Sequence, residues 1–423
     1  MRQEKGLIQN IDWLVVMVYL LLVIAGWMNI YAAVFDEENV TGIFDLSQNS
    51  GKQFLWIITS IIIIVAIFTI DFRFYESFAY VIYGVIIFLL VLVLVAGKEV
   101  AGSRSWFELG SFRIQPSEFA KFATALAVSA YMSRPGFKIS KIGRFLPAAF
   151  IVILPAALII LQGDTGTALI YSAFILVFYR EGFSQVVILI GLLAVALFIM
   201  TLLVDKLTLI VGIAILALAI IIVGKKTLKR ITIIAAAAIL MGGVVFSVDY
   251  FVTEVLKPHQ QNRIKALINP DADPSGYGWN VTQSKIAIGS GGFWGKGYLE
   301  GTQTKFDFVP EQSTDFIFCT LGEERGWIGS FFLIAMFVFL LIRIVMIAER
   351  QKSRFARNYG YCVAGIIFFH FMVNIGMTIG LFPVIGIPLP FFSYGGSSLW
   401  AFTILLFILL KLDAHRMQLL VRF

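Results

Sequence analysis

The chain is 423 residues long, 59% hydrophobic and only 14% charged, with a formal net charge of +7. A soluble domain carries about a quarter charged residues, so this balance excludes a soluble multidomain enzyme. The basic excess would suit nucleic acid only if it formed a patch, which makes its placement along the chain decisive.

Met1 to Asn10 is polar, and the apolar block after it is too long for a signal-peptide core and lacks a small-residue cleavage site. The first helix is therefore expected to stay in the membrane. Apolar blocks near the length needed to cross about 30 Å of hydrocarbon predict spans near 12–33, 53–71, 77–97, 116–133, 145–161, 165–180, 185–204, 207–223, 231–249, 326–346, 358–382 and 398–412. The expected fold is an all-α polytopic integral membrane protein of about twelve helices.

With the N-terminus placed in the cytoplasm, the inner segments hold twenty Lys and Arg, including the groups at 134–144, 225–230 and 343–357. The short outer loops hold five: Lys52, Lys98, Arg104, Arg113 and Lys206. The segment 250–325 carries seven basic and nine acidic residues, but long segments count little in the positive-inside rule. Both termini are thus expected inside, with 250–325 as one large extracytoplasmic loop. The basic excess is a topology signal, and nucleic acid loses its support. Cys319 and Cys362 fall at opposite faces, so no disulfide joins them, and neither sits beside a histidine pair that would suggest a metal site.

Ionisable groups inside or capping apolar spans mark functional candidates, and four polar clusters stand at the outer face. The first is Arg113-Ile-Gln115-Pro116-Ser117-Glu118-Phe-Ala-Lys121. Pro116 suits a first helical turn, and Glu118 and Lys121 then share a face, with Lys121 about 7 Å into the helix. They form either a structural ion pair or, with Arg113 and Lys121 as donors and Glu118 orienting Lys121, a cationic pocket for a lipid diphosphate.

The second cluster, Gln162-Gly163-Asp164-Thr165-Gly166, offers Asp164 as a helix cap or as a ligand for a metal or sugar hydroxyl. The third runs from Asn262 to Asp315 and includes Gln283-Ser284-Lys285-Ile-Ala-Ile-Gly289-Ser290-Gly291-Gly292-Phe-Trp-Gly295-Lys296-Gly297. A Walker phosphate loop requires Ser or Thr after Gly-Lys and a preceding strand; Gly297 follows Lys296, so nucleotide binding is rejected. A flexible flap carrying backbone N–H groups to a substrate stays open. Further on, Pro310 reads as a first-turn proline, with Glu311 complementing the helix dipole. Glu311 and Asp315, four apart, then lie on one helical face before an apolar stretch. Desolvation there raises a carboxylate pKa, as a general base requires; the alternative is a helix-start acid bonded to backbone. The fourth cluster, Phe382 to Ser398, has three prolines and three glycines between apolar spans. It predicts a broken or re-entrant segment, shielded by protein or lining a wet cavity, of a kind that transporters also use.

Arg113-Ile-Gln-Pro-Ser-Glu118, the 283–303 run ending Gly301-Thr302-Gln303, Pro310-Glu311 to Thr314-Asp315-Phe-Ile-Phe318, and Pro388 to Ser398 closely resemble the SEDS family (shape, elongation, division, sporulation), in family order. The Gly-Thr-Gln ending is more similar to its elongation branch than to its division branch. The resemblance implies a polymerase that joins the disaccharide of lipid II to a growing glycan strand outside the bacterial cytoplasmic membrane. It implies Asp315 as the essential aspartate and Arg113, Glu118 and Lys121 in the lipid II cavity. Further substrate contacts are expected from Gln283, Ser284, Lys285, Lys296, Gln303 and Glu311. It also implies a class B penicillin-binding protein and rod-complex proteins as partners, and Mg²⁺ or Mn²⁺ as an aid, with Asp315 and Asp164 as candidate ligands.

Two departures matter. Relatives usually carry His before Thr-Asp, where this chain has Ser313, and the family usually has ten spans, which places an extra pair within 205–249. On this reading Asp315 is the base for an acceptor hydroxyl while Arg113 and Lys121 stabilise the departing diphosphate. A lipid flippase or other transporter is the rival class, and a scaffold for a partner synthase a third.

Overall fold

The computed structural model describes residues 10–37, 42–100, 102–110, 112–224, 227–255, 261, 277–306 and 308–416. In chain order its elements are α1 (Trp13–Ala33), α2 (Asn49–Thr69), α3 (Phe72–Ser77), α4 (Ala79–Ala96), β1 (Lys98–Val100), β2 (Ser103–Leu109), β3 (Phe112–Ile114), α5 (Pro116–Met132) and α6 (Ile142–Leu161). There follow α7 (Thr165–Ile170), α8 (Phe174–Arg180), α9 (Gln185–Leu203), α10 (Lys206–Val223), α11 (Leu228–Tyr250), α12 (Tyr277–Ser290), α13 (Thr302–Lys305), α14 (Ile317–Glu349), α15 (Arg354–Thr378) and α16 (Gly396–Ala414).

Among the described residues nine helices are long and apolar enough to cross a membrane: α1, α2, α4, α6, α10, the run Leu228–Glu254 that contains α11, α14, α15 and α16. The chain is a multi-pass membrane protein. The other predicted spans, 116–133, 165–180 and 185–204, are also helical, as α5, as α7 and α8 joined by a 3-10 turn, and as α9, but they stand outside that nine.

The chain divides into two compact units, Met1–Gly182 with Asn280–Phe423, and Phe183–Trp279. In the first, α16 is the inner helix, with 83% of its span buried against 17% for α4. Beside it lies α5, whose Ala120, Ala123, Ala125, Ala127 and Ala130 are all buried. In lipid, apolar surface gains little from leaving the solvent, so small side chains that let backbones approach decide which helices pack centrally. Those alanines let α4, α15 and α16 close around α5. In the second unit α9, α10 and α11 pack on one another; the range 205–249, where an extra pair is expected, holds α10 and α11.

Two features depart from the all-helical expectation. The short loop after α4 folds into an antiparallel sheet of order β1-β2-β3, with Lys98 opposite Trp106, Glu108 opposite Arg113 and Leu109 opposite Phe112. The second half of the expected 250–325 loop is ordered structure: α12, a glycine-rich loop, α13 and a turn lead into α14. Residues 256–260, 262–276 and 307 of that loop lie outside the described residues. The predicted span start at 326 falls on Gly326, whose φ of 61° and ψ of −156° interrupt α14 in a region that essentially only glycine occupies.

The segment 381–395 holds no regular helix, as its prolines and glycines predict. It packs onto α7 at Gly166, where a Cβ would run into the Ile385 carbonyl.

Candidate functional site

Three stretches distant in sequence meet around the C-terminal half of α15: the start of α5, the turn 310–316 and the broken segment 381–395. Asn374, fully buried on α15, donates from Nδ2 to the carbonyls of Asp315 at 2.8 Å and Ile387 at 2.7 Å. One turn earlier, His370 joins the Pro388 carbonyl through Nδ1 at 3.1 Å and Lys121 Nζ through Nε2 at 2.9 Å. An ammonium has only donors, so Nε2 accepts and the His370 proton sits on Nδ1, facing Pro388. Lys121 Nζ also donates to Glu118 Oε2 at 2.8 Å and lies 4.6 Å from the centre of the Phe402 ring. Both members of that pair are about 2% exposed.

The turn carrying Asp315 is fixed from several directions. Ser393 Oγ donates to the Thr314 carbonyl at 2.6 Å and accepts from the Leu389 N–H at 2.9 Å. The Tyr394 N–H donates to the Ser313 carbonyl at 3.0 Å, and Asn49 Nδ2 to Ser313 Oγ at 3.1 Å. Asp315 itself is half-buried. Gly386, at a φ of 72°, passes so near that a Cβ there would lie 3.3 Å from Oδ2. A rigid backbone with a half-buried aspartate is what positioned proton transfer needs.

Glu311 and Asp315 do not share a helical face. Glu311 adopts a φ of 56°, a left-handed conformation costly for a residue with a Cβ, and this bars a helix there. Its carbonyl accepts the N–H groups of Thr314 at 3.1 Å and Phe316 at 3.2 Å, so α14 begins only at Ile317. The exposed Glu311 carboxylate accepts the Thr314 hydroxyl at 2.9 Å.

Other predicted residues take varied places. Glu118 and Lys121 form the buried pair, whereas Arg113 sits exposed on β3 and pairs with Glu108, which also binds Lys98. Lys98 first, then Arg113, hold the Glu108 carboxyl below the usual carboxylate range. Asp164 caps α7, accepting the Thr167 N–H at Oδ1 at 2.9 Å, and its Oδ2 accepts from Gln115 Nε2 at 2.9 Å and Ser117 Oγ at 3.5 Å. Among the described residues no three His, Cys, Asp or Glu side chains converge as a metal cluster would require. A divalent ion caged by protein therefore does not fit this donor set. On α12, Gln283 is buried, Ser284 Oγ donates to the Thr378 carbonyl at 2.9 Å, and Lys285 is exposed beside Gly380.

The glycine-rich stretch is strapped onto the start of α14. The N–H groups of Lys296 and Gly297 donate to the carbonyls of Glu323 at 3.0 Å and Glu324 at 3.1 Å. A Cβ on Gly295 would run into the Glu324 carbonyl, so only glycine allows this approach. Beneath the strap, the Glu323 carboxylate is completely buried. Its Oε1 accepts from Lys296 Nζ at 2.7 Å and the N–H groups of Thr302 at 2.8 Å and Gln303 at 2.9 Å. Its Oε2 accepts from the Thr304 N–H and hydroxyl, each at 3.0 Å. Lys296 and the Gln303 backbone thus organise the strap.

Glu323, His370 and Asn374 were not singled out from the sequence. The last two lie inside a predicted apolar span four residues apart, the spacing of one helical face, and that was the signal for them.

These features define a class: a multi-pass membrane protein with a half-buried aspartate on a rigid turn, beside a broken segment and a buried ion pair. The chain belongs to the cell cycle protein family that takes in FtsW, RodA and SpoVE, whose model matches residues 12–207 and 179–418. This is the family whose motifs it resembles. It is 32% identical over 441 aligned residues to peptidoglycan glycosyltransferase RodA of Treponema pallidum (strain Nichols), covering 97% of this chain and 99% of the relative. It is 33% identical over 364 residues to peptidoglycan glycosyltransferase MrdB of Escherichia coli (strain K12), covering 85% and 84%. One similar solved structure concerns the structural coordination of polymerization and crosslinking by a peptidoglycan synthase complex. It matches with a TM-score of 0.71 at 25% identity, covering 96% of this chain and 99% of that one. The rod shape determining protein RodA of Thermus thermophilus matches with a TM-score of 0.62 at 22% identity, covering 96% and 97%.

Proposed function

We propose that this chain is a peptidoglycan glycosyltransferase of cell-wall elongation, joining the disaccharide of lipid II to a glycan strand at the outer face of the bacterial cytoplasmic membrane. Both termini lie in the cytoplasm on this reading. The observation that carries it is the half-buried Asp315 on a turn pinned by Asn374, Ser393 and Asn49.

The acceptor sugar hydroxyl attacks the anomeric carbon of the donor. The new C–O bond forms as the bond to the lipid diphosphate breaks, and the hydroxyl proton passes to Asp315. General-base help of this kind contributes about 10²–10⁴-fold. The exposed guanidinium of Arg113 would offset the charge of the departing diphosphate. Glu118 and Lys121 act one layer back: through His370 they fix the Pro388 carbonyl, and with it the segment that borders Asp315. Gln283, Ser284, Lys285, Lys296, Gln303 and Glu311 line the approach or hold its wall. Mg²⁺ or Mn²⁺ brought in with the donor's diphosphate, with Asp315 and Asp164 as candidate ligands, would help to neutralise the leaving group.

A class B penicillin-binding protein is the proposed crosslinking partner, with rod-complex proteins beside it; the likeness to a synthase that couples polymerization to crosslinking supports this. The two family-model matches overlap at 179–207, directly before α10, which supports α10 and α11 as a pair added to a ten-span core.

Purified chain incubated with labelled lipid II should yield a ladder of glycan strands on a gel. Movement of lipid II across vesicles with no ladder would favour the carrier reading instead.

A further inference from the structure

The hairpin of α10 and α11 carries none of the residues assigned to that chemistry. The two helices run antiparallel, with Lys206 meeting Asp249 at 2.6 Å at the open end. At the other end an open surface depression of about 330 Å³ is lined by Ile220, Thr227, Lys229, Arg230, Ile233 and Ile234. The Arg230 side chain folds back over the turn: its Nη2 reaches the Ile220 carbonyl at 3.5 Å. Its guanidinium also occupies the space that a Cβ on Gly224 would fill.

The charge at this end is one-sided. Among the described residues of the second unit the carboxylates are Asp205, Asp249 and Glu254, all of them at the opposite end of the hairpin. Among the described residues of their own unit Lys229 and Arg230 therefore stand without an acidic neighbour, beside the exposed side chains of Ile220 and Ile233. By the positive-inside count this end faces the cytoplasm. Cations at the edge of the hydrocarbon are costly unless neutralised, and basic groups there draw anionic lipid. Guanidinium matches phosphate oxygens with two parallel hydrogen bonds.

We propose that this depression binds an anionic phospholipid. Lys229, Arg230 and the Thr227 hydroxyl take the phosphodiester, and an acyl chain lies along Ile220, Ile233 and Ile234. This gives the α10–α11 hairpin a lipid-binding role, independent of the glycosyltransferase reading.

The test uses full-length chain in micelles containing phosphatidylglycerol and phosphatidylcholine, with retained lipid counted by native mass spectrometry. The parent should retain phosphatidylglycerol selectively. Lys229→Gln should lower that preference about five-fold, and Lys229→Gln/Arg230→Gln about 30-fold. The charge-keeping swap Lys229→Arg/Arg230→Lys should hold it, which separates charge from folding. Lys352→Gln, which removes a cation of the same predicted face outside the depression, should change nothing. Equal retention of the two lipids, or an equal loss with Lys352→Gln, would overturn the proposal. Displacement of the lipid by equimolar glycerol phosphate would overturn the acyl-chain half of it.

Discussion

Glu323→Gln is the substitution whose cost can best be worked from geometry. The carboxylate is fully buried and accepts five hydrogen bonds of 2.7–3.0 Å, four from the strap and α13 backbone or hydroxyl groups and one from Lys296. An amide keeps one acceptor oxygen and turns the other position into a donor. If the nitrogen faces Thr304, that hydroxyl can rotate to accept, but the Thr304 N–H is orphaned, at about 1–3 kcal/mol. The bonds left to the oxygen lose charge assistance, a further 1 kcal/mol or so in total. Lys296 is about a quarter exposed, so water recovers part of its loss. The sum is roughly 2–4 kcal/mol, concentrated in residues 295–305. Hydrogen exchange read by mass spectrometry should show those amides exchanging on the order of 10²-fold faster, with the α15 and α16 amides unchanged. Unaltered exchange of the strap would refute the view that Glu323 organises it.

Three further outcomes follow from the same contacts. Lys121→Met leaves Glu118 as an unpaired buried charge and should cost about 3–5 kcal/mol; adding Glu118→Gln should restore part of the melting temperature in detergent. Asn374→Leu removes the donor to the part-buried Asp315 carbonyl and to the buried Ile387 carbonyl, the latter at about 1–3 kcal/mol. Its kcat for glycan synthesis should fall well beyond its loss of folded protein, whereas a proportional loss would make Asn374 merely structural. Because no metal cluster forms among the described residues, protein passed through a desalting column should hold well under one equivalent of Mg²⁺ or Mn²⁺ by elemental analysis; a stoichiometric ion would contradict this.

The helices were legible because lipid imposes a simple code: apolar runs of fixed length, ended by charges. Each predicted block is helical, and the Pro-rich 383–390 stretch is irregular as its residues require. The sheet at 98–114 escaped notice since three-residue strands such as β1 and β3 carry too little alternation to read. Around the site, Pro310 suggested a helix start that Glu311 cancels through its backbone conformation, which no propensity encodes. The glycine run leaves a flexible flap open in sequence, but Gly291 and Gly295 serve close approach to the start of α14, a tertiary fact. Polar groups already flagged by their place in apolar sequence, Glu118 and Lys121, were found together. Their partner His370 needed the fold, because 249 positions separate it from Lys121.

The most direct measurement is glycan synthesis from labelled lipid II by purified Asp315→Asn protein. Asparagine keeps the shape of the side chain but takes up no proton, so the melting temperature should stay near that of the parent while the polymerisation rate drops by about 10²–10⁴-fold. A folded Asp315→Asn protein that polymerises at a rate close to the parent's would contradict the assignment of Asp315 as the base.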